Sequence, residues 1–498
     1  MKHSAKIFLI ITGLALVVSC DQWMGLIPPQ GLIREEFWQS KEDVEAMLMG
    51  AYDTFGNMNG NLLLYGELRG DMIRPDYGLG NDARQISEST IYEDNGMCNW
   101  RSFYEVINFC NEVMKNAPLV KEIDETFTEY QLNGFLAEAI YLRSLTYFYL
   151  VRIFKDVPYV TEPTETDESE VYPVKSTDTE IIGYLLEDLE TYRPFATTDG
   201  YQTIEEIKGR ATKAAFDALM ADINLWIFDY EEVLRHVAKI EANKDLVILS
   251  EDEYFDLFYP GNSIESIFEI QFNDEKGQPN GLYGLTNYFS NNLDPSEAAI
   301  QMFAAKNGEE PVRGEGFSIK KEGEDDYIIW KYVGRAPDGE TARASSEQRS
   351  ANFIIYRLAD VLMMKAEALS QLERYTEARE IFNGGSSYKY FYELTDRAGI
   401  NDFTAADTPA SFEDAILDQR ARELAFEGKR WFDLMRMGRR NNYQRKLKFI
   451  EIAVQNAPST QKRILRTKLT NPLGWYLPIH EDELERNKNL EQNTYYNF

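Results

Sequence analysis

Histidine and cysteine are scarce in this chain, with three of each among 498 residues. His236 and His480 lie far apart and lack the short spacing by which protein ligands gather around zinc, so no metal centre is read from them. Beyond Cys20, the only thiols are Cys98 and Cys110, too few for a disulfide framework. Cys110 falls inside an expected helix and Cys98 just before it. Twelve helical residues rise about 18 Å, well beyond the Cα separation that a disulfide tolerates, so no bridge is expected. A nucleophile elbow, a phosphate-binding loop and a dinucleotide fingerprint are all missing. No cofactor is expected. Basic charge is also short: 52 lysines and arginines face 83 acids, for a net charge of −31. A field of that sign repels phosphate backbones and argues against nucleic acid as a partner.

Long hydrophobic runs are absent but for one at the start. Lys2 and Lys6 precede an apolar stretch from Ile7 to Val18, broken only by Thr12 and Gly13, and Val17-Val18-Ser19-Cys20 follows. About twelve apolar residues are too few for a permanent bilayer span, which takes about twenty. Residues 1–19 therefore read as a cleaved lipoprotein signal peptide, and Cys20 as the lipidated residue that anchors the chain to a membrane. Residues 20–498 are expected to form one domain.

What the chain has in abundance is apolar and aromatic side chains. Apolar residues make up 44%, which excludes a disordered class, and there are 30 Tyr, 28 Phe and 7 Trp. Most of these rings must be core, and a minority can serve as stacking platforms. Helical periodicity dominates. Helices are expected at Ser40–Phe55, where Ser40 and Asp43 are placed as a capping box, and at Trp100–Asn116. The stretch Phe135–Phe154 is apolar almost all round, as a central helix would be. Others are expected at Thr179–Tyr192, Thr212–Trp226, Tyr230–Ala242, Ile355–Leu372, Tyr375–Phe382, Phe412–Met437 and Arg440–Ala453. Asp360 to Ala378 has the alanine and tyrosine placement of a tetratricopeptide helix pair, without a strict 34-residue repeat.

The most informative stretch is DQRARELAFEGKRWFDLMR, Asp418 to Arg436. Leu417, Ala421, Leu424, Gly428, Trp431 and Met435 form an apolar stripe at helical spacing. Arg420, Glu423, Glu427, Arg430 and Leu434 run beside it. A solvated helix with ordinary i,i+4 pairs would leave Trp431 and Phe432 unexplained. Ion pairs buried against another helix account for both stripes, because half-buried charges persist only when paired. Glu427 is expected to pair with Arg420 or Arg430.

This stretch resembles the closing signature of the SusD/RagB family of outer-membrane nutrient-binding lipoproteins, R-x-R-E-L-x-F-E-G-x-R-W-F-D-L-x-R. Four other stretches resemble family motifs in the same order. LVRIFKDVPYV closes a helix as the family's G-D-V-P does, with Lys155 in place of the usual glycine. ATKAAFDALMADINL begins at Ala211, and NFIIYRLADVLMMKAEA begins at Asn352 with Asp360 replacing a glutamate. LPIHEDELERNKNLEQN begins at Leu477 with His480 replacing a proline. The resemblance implies an all-α fold of tetratricopeptide-like helix pairs, forming a single scaffold with long irregular ligand-binding insertions. It also implies an outer-membrane, lipid-anchored position facing the cell exterior. The implied role is to bind oligosaccharides or polysaccharides and deliver them to a SusC-like TonB-dependent transporter, without catalysis. Glu423, Glu427 and Asp433 are then scaffold groups and not catalytic acids. A peptide-binding protein of the RagB type, a helical-repeat adaptor and a lipid-anchored glycoside hydrolase are the competing readings.

A binding site is expected on irregular segments held out by the scaffold. Gly60–Asn99 contains Asp71, Arg74, Asp76 and Tyr77. Gln271–Arg349 is weakly periodic, glycine-bearing and aromatic. Trp330, the only tryptophan of the second segment, is expected to form a stacking platform with Tyr327, Tyr288 and Tyr283. Asp71 and Arg74 are expected to bond ligand hydroxyls.

Overall fold

The helices begin where the capping chemistry places them. In the computed structural model, which describes residues 37–164, 172–197, 201–287, 292–304, 312–323, 326–336, 341–384 and 394–497, helix α1 is Lys41–Asn57. The Ser40 backbone N–H at its start donates to the Asp43 carboxylate at 2.8 Å. After α2 (Asn59–Glu67) and α3 (Arg101–Ile123), Thr128 and Gln131 cap each other at the head of α4, Glu129–Phe154. From Leu136 to Phe154 every residue of α4 is buried, as its apolar sequence demands. This helix stops at Lys155, whose φ of +74° is a conformation that favours glycine. Lys155 is the position where the related motif carries glycine. Its ammonium is held by Asp156 at 3.0 Å and Asp178 at 3.1 Å.

Helices α5 (Asp178–Tyr192), α6 (Lys213–Trp226) and α7 (Tyr230–Glu241) start at Thr177, Thr212 and Asp229, each of which accepts a backbone N–H inside its helix. The pairs α3/α4 and α6/α7 pack side by side. So do α8 (Leu358–Gln371) with α9 (Tyr375–Asn383), and α10 (Pro409–Glu423) with α11 (Arg430–Tyr443). Helix α8 also packs on α7 and α10, so each pair leans on the next, as in a tetratricopeptide-like array. One apolar cluster runs from Val44 to Tyr496. Cys98 and Cys110 are separate buried thiols within it.

Strands are short and antiparallel. β1 (Ile73–Pro75) pairs with β5 (Leu293–Pro295), and β2 (Val157–Pro158) with β3 (Lys175–Ser176). β4 (Ser266–Ile270) pairs with β8 (Phe353–Arg357), and β6 (Ile319–Lys321) with β7 (Tyr327–Ile329). Two expected helices are corrected by this pattern. Ile355 to Arg357 belongs to strand β8, because the run NFIIYR is β-branched and aromatic and completes a buried ladder with β4. The expected helix Phe412–Met437 is two helices. It breaks after Glu423, where Phe426 and Gly428 take φ values of +64° and +73°. The break also lets α2 touch the turn: a Cβ on Gly66 would meet the Gly428 carbonyl oxygen at 1.8 Å.

The charged stripe is buried, as read from the sequence, but its partners come from elsewhere. Glu427 pairs with Arg357 and Lys331, not with Arg420 or Arg430. Arg357 donates to Glu427 at 2.9 and 3.0 Å, to Glu265 at 2.8 Å and to Glu423 at 2.7 Å. Arg397 bonds Glu265 at 2.6 Å and also Glu423. Arg420 lies between Asp433 and Asp360, both at 2.8 Å, and Arg430 grips Asp71 at 2.6 and 2.9 Å. Arg436 joins Asp433 to Glu367. Trp431 lies beneath Arg69, 4.5 Å from guanidinium to ring, and Phe432 beneath Arg152 at 4.3 Å. The helix break at Gly428 turns α11 back, so Arg420 meets Asp433 across the break while Glu423 and Glu427 face Arg357 at the end of β8.

Burial alone would raise the Glu423 carboxyl, but Arg397, Arg357 and Arg313 hold it below the usual range. Burial is likewise outweighed at Asp360, where Lys429 and Arg420 bring the carboxyl down to about 2. Glu67 is the opposite case. Burial pushes it up to about 8, although the backbone N–H groups of Gly428 and Lys429 donate to it at 3.0 and 3.2 Å.

Two outcomes follow for stability. Glu427→Ala takes the carboxylate from the buried Lys331 and one of three from Arg357, and is expected to cost about 3–5 kcal/mol in a denaturant titration. An unchanged midpoint would show the network to be dispensable. Depressed carboxyls such as Asp360 and Glu423 stabilise the fold above their unfolded value of about 4, and that stability is lost as pH falls through the folded value. Glu67 has the reverse sign: its contribution is complete below the unfolded value and is lost as pH rises through about 8. Melting temperature should therefore fall in acid. It should also decline from pH 5 toward pH 9, by less in Glu67→Gln, since glutamine keeps the acceptor oxygen without the charge. An identical alkaline slope in Glu67→Gln would contradict this.

Candidate functional site

The two irregular segments meet at the β1–β5 ladder. Arg74 stands opposite Asp294 in the register, and its guanidinium reaches that carboxylate at 2.8 Å. The pair is at the surface, with Arg74 68% and Asp294 26% exposed. Beyond β1 the Asp76 N–H bonds to the Asn292 carbonyl at 2.9 Å, which extends the ladder by one bond. Tyr77 then heads a short 3-10 turn, Tyr77–Leu79, and is 87% exposed. Gly80, at φ +86°, ends that turn and starts the helix Gly80–Ser87. No apolar residue within this turn packs over Tyr77; Asp76 and Gly78 flank it. The phenol ring is therefore presented to solvent, three residues along the chain from Arg74 and its carboxylate partner.

Strand β7 lies alongside β5 and brings Tyr327 to the same region, half-buried. The Lys321 ammonium is 6.0 Å from its ring. The short helix Leu282–Thr286 also packs against β5 and carries Tyr283. The Tyr283 ring is half-buried beneath the Arg349 guanidinium at 5.6 Å. Three of the expected residues, Arg74, Tyr283 and Tyr327, thus gather around one ladder. Tyr288 lies outside the described residues.

Two expected site residues are corrected. Trp330 is 3% exposed and packs with Ile328, Val333 and Phe255, while the Lys320 ammonium covers its ring at 4.2 Å. It anchors the β6–β7 hairpin, because the run Ile328-Ile329-Trp330 carries more apolar area than a surface strand can leave in water. Asp71 is 5% exposed, and both its carboxylate oxygens accept from Arg430. It ties the end of α2 to the start of α11 and has no oxygen turned toward a ligand.

Tyr77 lies in the first irregular segment read from the sequence without being among the expected ligand contacts, and Asp294 was passed over. Tyr77 carried a signal, an aromatic set between Asp76 and Gly78 with no apolar periodicity to bury it. Asp294 carried none, for it meets Arg74 across 220 residues.

Glu190, Glu232 and His236 bring ligand atoms within 4.8 Å of one another. Arg235 already occupies that position, bonding to Glu190, to Glu232 and to His236 Nε2 at 2.9 Å. Glu423, Glu427 and Asp433 are buried and fully engaged with cations. No described helix is long and apolar enough to cross a membrane.

Residues 318–496 match the model of the SusD family, and residues 23–225 match the family model described as starch-binding associating with outer membrane. SusD-like protein P38 of Formosa agariphila is 25% identical over 99% of both chains. SusD-like protein P2 of the same organism is 26% identical over 98% of this chain and 99% of its own. A crystal structure of a SusD superfamily protein from Bacteroides vulgatus superposes with a TM-score of 0.75 at 21% identity, covering 92% of this chain and all of that one. The chain is a SusD-like protein, and its helical array is the fold of that superfamily.

The contrast between Trp330 and Tyr77 is open to direct measurement. Trp330→Ala is expected to destabilise the fold by about 3–5 kcal/mol, whereas Tyr77→Ala should change stability by less than about 0.5 kcal/mol. Equal effects would show that the two rings do not differ in packing.

Proposed function

We propose that this protein captures oligosaccharides or polysaccharides at the cell surface and delivers them to a SusC-like TonB-dependent transporter in the outer membrane, without chemistry of its own. The observation that carries the proposal is Tyr77, almost wholly exposed and three residues along the chain from the surface Arg74–Asp294 pair. Sugar rings present flat C–H faces that stack on a phenol, while a guanidinium and a carboxylate bond to hydroxyls. Tyr327 and Tyr283, on elements that touch β5, extend the apolar area. Separate weak contacts spread along a chain suit capture followed by release. The description of the family model that matches the N-terminal half, starch-binding and associated with the outer membrane, supports the same reading. The absence of catalysis is supported by the burial of the signature acids Glu423, Glu427 and Asp433 in ion pairs, away from any surface a substrate could reach.

In this reading residues 1–19 are removed, Cys20 carries the acyl chains, and the domain from residue 20 onward stands on the exterior face over the transporter. Tyr77→Ala should lower affinity for a bound oligosaccharide by about tenfold, or about 1.4 kcal/mol, in titration calorimetry with an unchanged melting temperature. Unchanged affinity would move the site elsewhere. Gentle extraction of outer membranes should co-purify a β-barrel protein in near-equal amount; recovery of the lipoprotein alone would count against the transporter as partner.

A further inference from the structure

A cavity of about 690 Å³ opens among residues none of which belongs to β1 or β5. Its wall is formed by the first turns of α4, the segment 194–197, the short helix Ile204–Gly209, the start of α6, and β4. The chain carries 83 acids, yet none of the described residues in this lining is acidic. Two are lysines. Lys208 is 8% exposed, and its ammonium donates to a single acceptor, the Ser266 carbonyl oxygen at 2.6 Å. Lys213, at the head of α6, is exposed. The backbone N–H groups of Lys213 and Ala214 are the first two of that fourteen-residue helix and have no acceptor within it. Glu269 and Asp245 act on Lys208 from outside the lining. Burial lifts the Glu269 carboxyl to about 7, which weakens its hold on the lysine. Positive potential therefore converges from a buried ammonium, an exposed ammonium and a helix start. The rim carries two exposed rings, Tyr130 at 52% and Phe195 at 43%, and Asn133 adds an amide.

A neutral sugar takes only hydrogen bonds from two ammonium groups and leaves their charge unmet, and a phosphate-rich polymer is repelled by a net charge of −31. A single carboxylate on an otherwise hydroxylated ring fits both the charge and the rim. Inside the cavity the lysines act over a few ångströms, while the overall negative field is screened beyond about 8 Å at physiological salt. We infer that this cavity is a second binding site, separate from the Tyr77 face, which receives a carboxylate-bearing sugar unit of an acidic oligosaccharide. The carboxylate would lie between Lys208, Lys213 and the α6 amides, with the ring against Tyr130 or Phe195. The saccharide nature of the occupant rests on the function proposed above; the charge preference rests on the cavity alone.

The test is titration calorimetry of the full chain in detergent with trigalacturonate, its fully methyl-esterified form, and maltotriose. Trigalacturonate should bind, and added salt should weaken it. Esterification, Lys213→Gln and Asn133→Asp should each reduce affinity by at least about tenfold, with circular dichroism unchanged. Lys213 and Asn133 lie at the edge of the cavity, so neither change should disturb folding. Tyr77→Ala should leave trigalacturonate binding within about twofold. Absence of trigalacturonate binding, or binding indifferent to esterification and to both cavity variants, overturns the second site. Loss in Tyr77→Ala with no loss in Lys213→Gln would place the acidic oligosaccharide on the outer face, overturning the second site while leaving the proposed function intact. Failure of every oligosaccharide would instead strike at that function.

Discussion

Arg357 and the three carboxylates around it are the contact on which the rest of the molecule depends. Its guanidinium lies at the end of β8 and reaches Glu265 just before β4, Glu423 at the end of α10, and Glu427 in the turn that follows. One buried cation thus fixes the ladder, the helix pair and the turn relative to one another. Such a group would be ruinous alone, since each uncompensated ion in a protein interior costs several kcal/mol. Here the three carboxylates are shared among Arg357, Lys331, Arg397 and Arg313, so every charge of the set has a partner. A hydrophobic replacement of similar volume could match the stability of the set, but it would specify the geometry of the three elements less closely, because only the ion pairs demand particular atoms at particular distances.

A second set continues outward, from Asp360 and Lys429 through Arg420, Asp433 and Arg436 to Glu367. Asp71 and Arg430 join this helical body to the chain that leads into β1. The consequence for function is mechanical. Arg74 and Tyr77 follow Asp71 by three and six residues, so the exposed ring and guanidinium extend from a point held by a bidentate buried pair. A binding face whose base is rigid loses less freedom when it meets a ligand than one on an unsupported loop.

The local features of the fold were legible in the sequence. Ser40 and Asp43 mark a helix start, and the apolar run through Phe154 identifies the central helix, although that helix begins at Glu129 and not at the expected Phe135. The Asp418–Arg436 stripe revealed that charge would be buried. Which charges meet was not legible, since Arg357 and Lys331 stand 70 and 96 residues from Glu427 and nothing in the stripe points to them. The helix break at Gly428 was hidden for a related reason: the heptad-like spacing continues through a turn whose conformation is set by the approach of Gly66. The same limit explains Trp330. A tryptophan in an irregular segment has equal local character whether it is exposed or covered, and only the fold of Ile328, Val333 and Lys320 around it decides. Arg74, Tyr283 and Tyr327 come together because β1, β5 and β7 adjoin, a long-range fact that composition does not carry.

The central claim is a division of labour, with buried ion pairs holding the body and an exposed ladder face meeting the ligand. Hydrogen exchange of the full chain with and without a saturating oligosaccharide measures both parts at once. Slowed exchange is expected at residues 73–80, 282–286, 292–295, 319–323 and 326–329, with the amides of 353–357 and 420–430 slow and unchanged in both states. Protection appearing at 420–430 on binding, with none at 73–80, would contradict it.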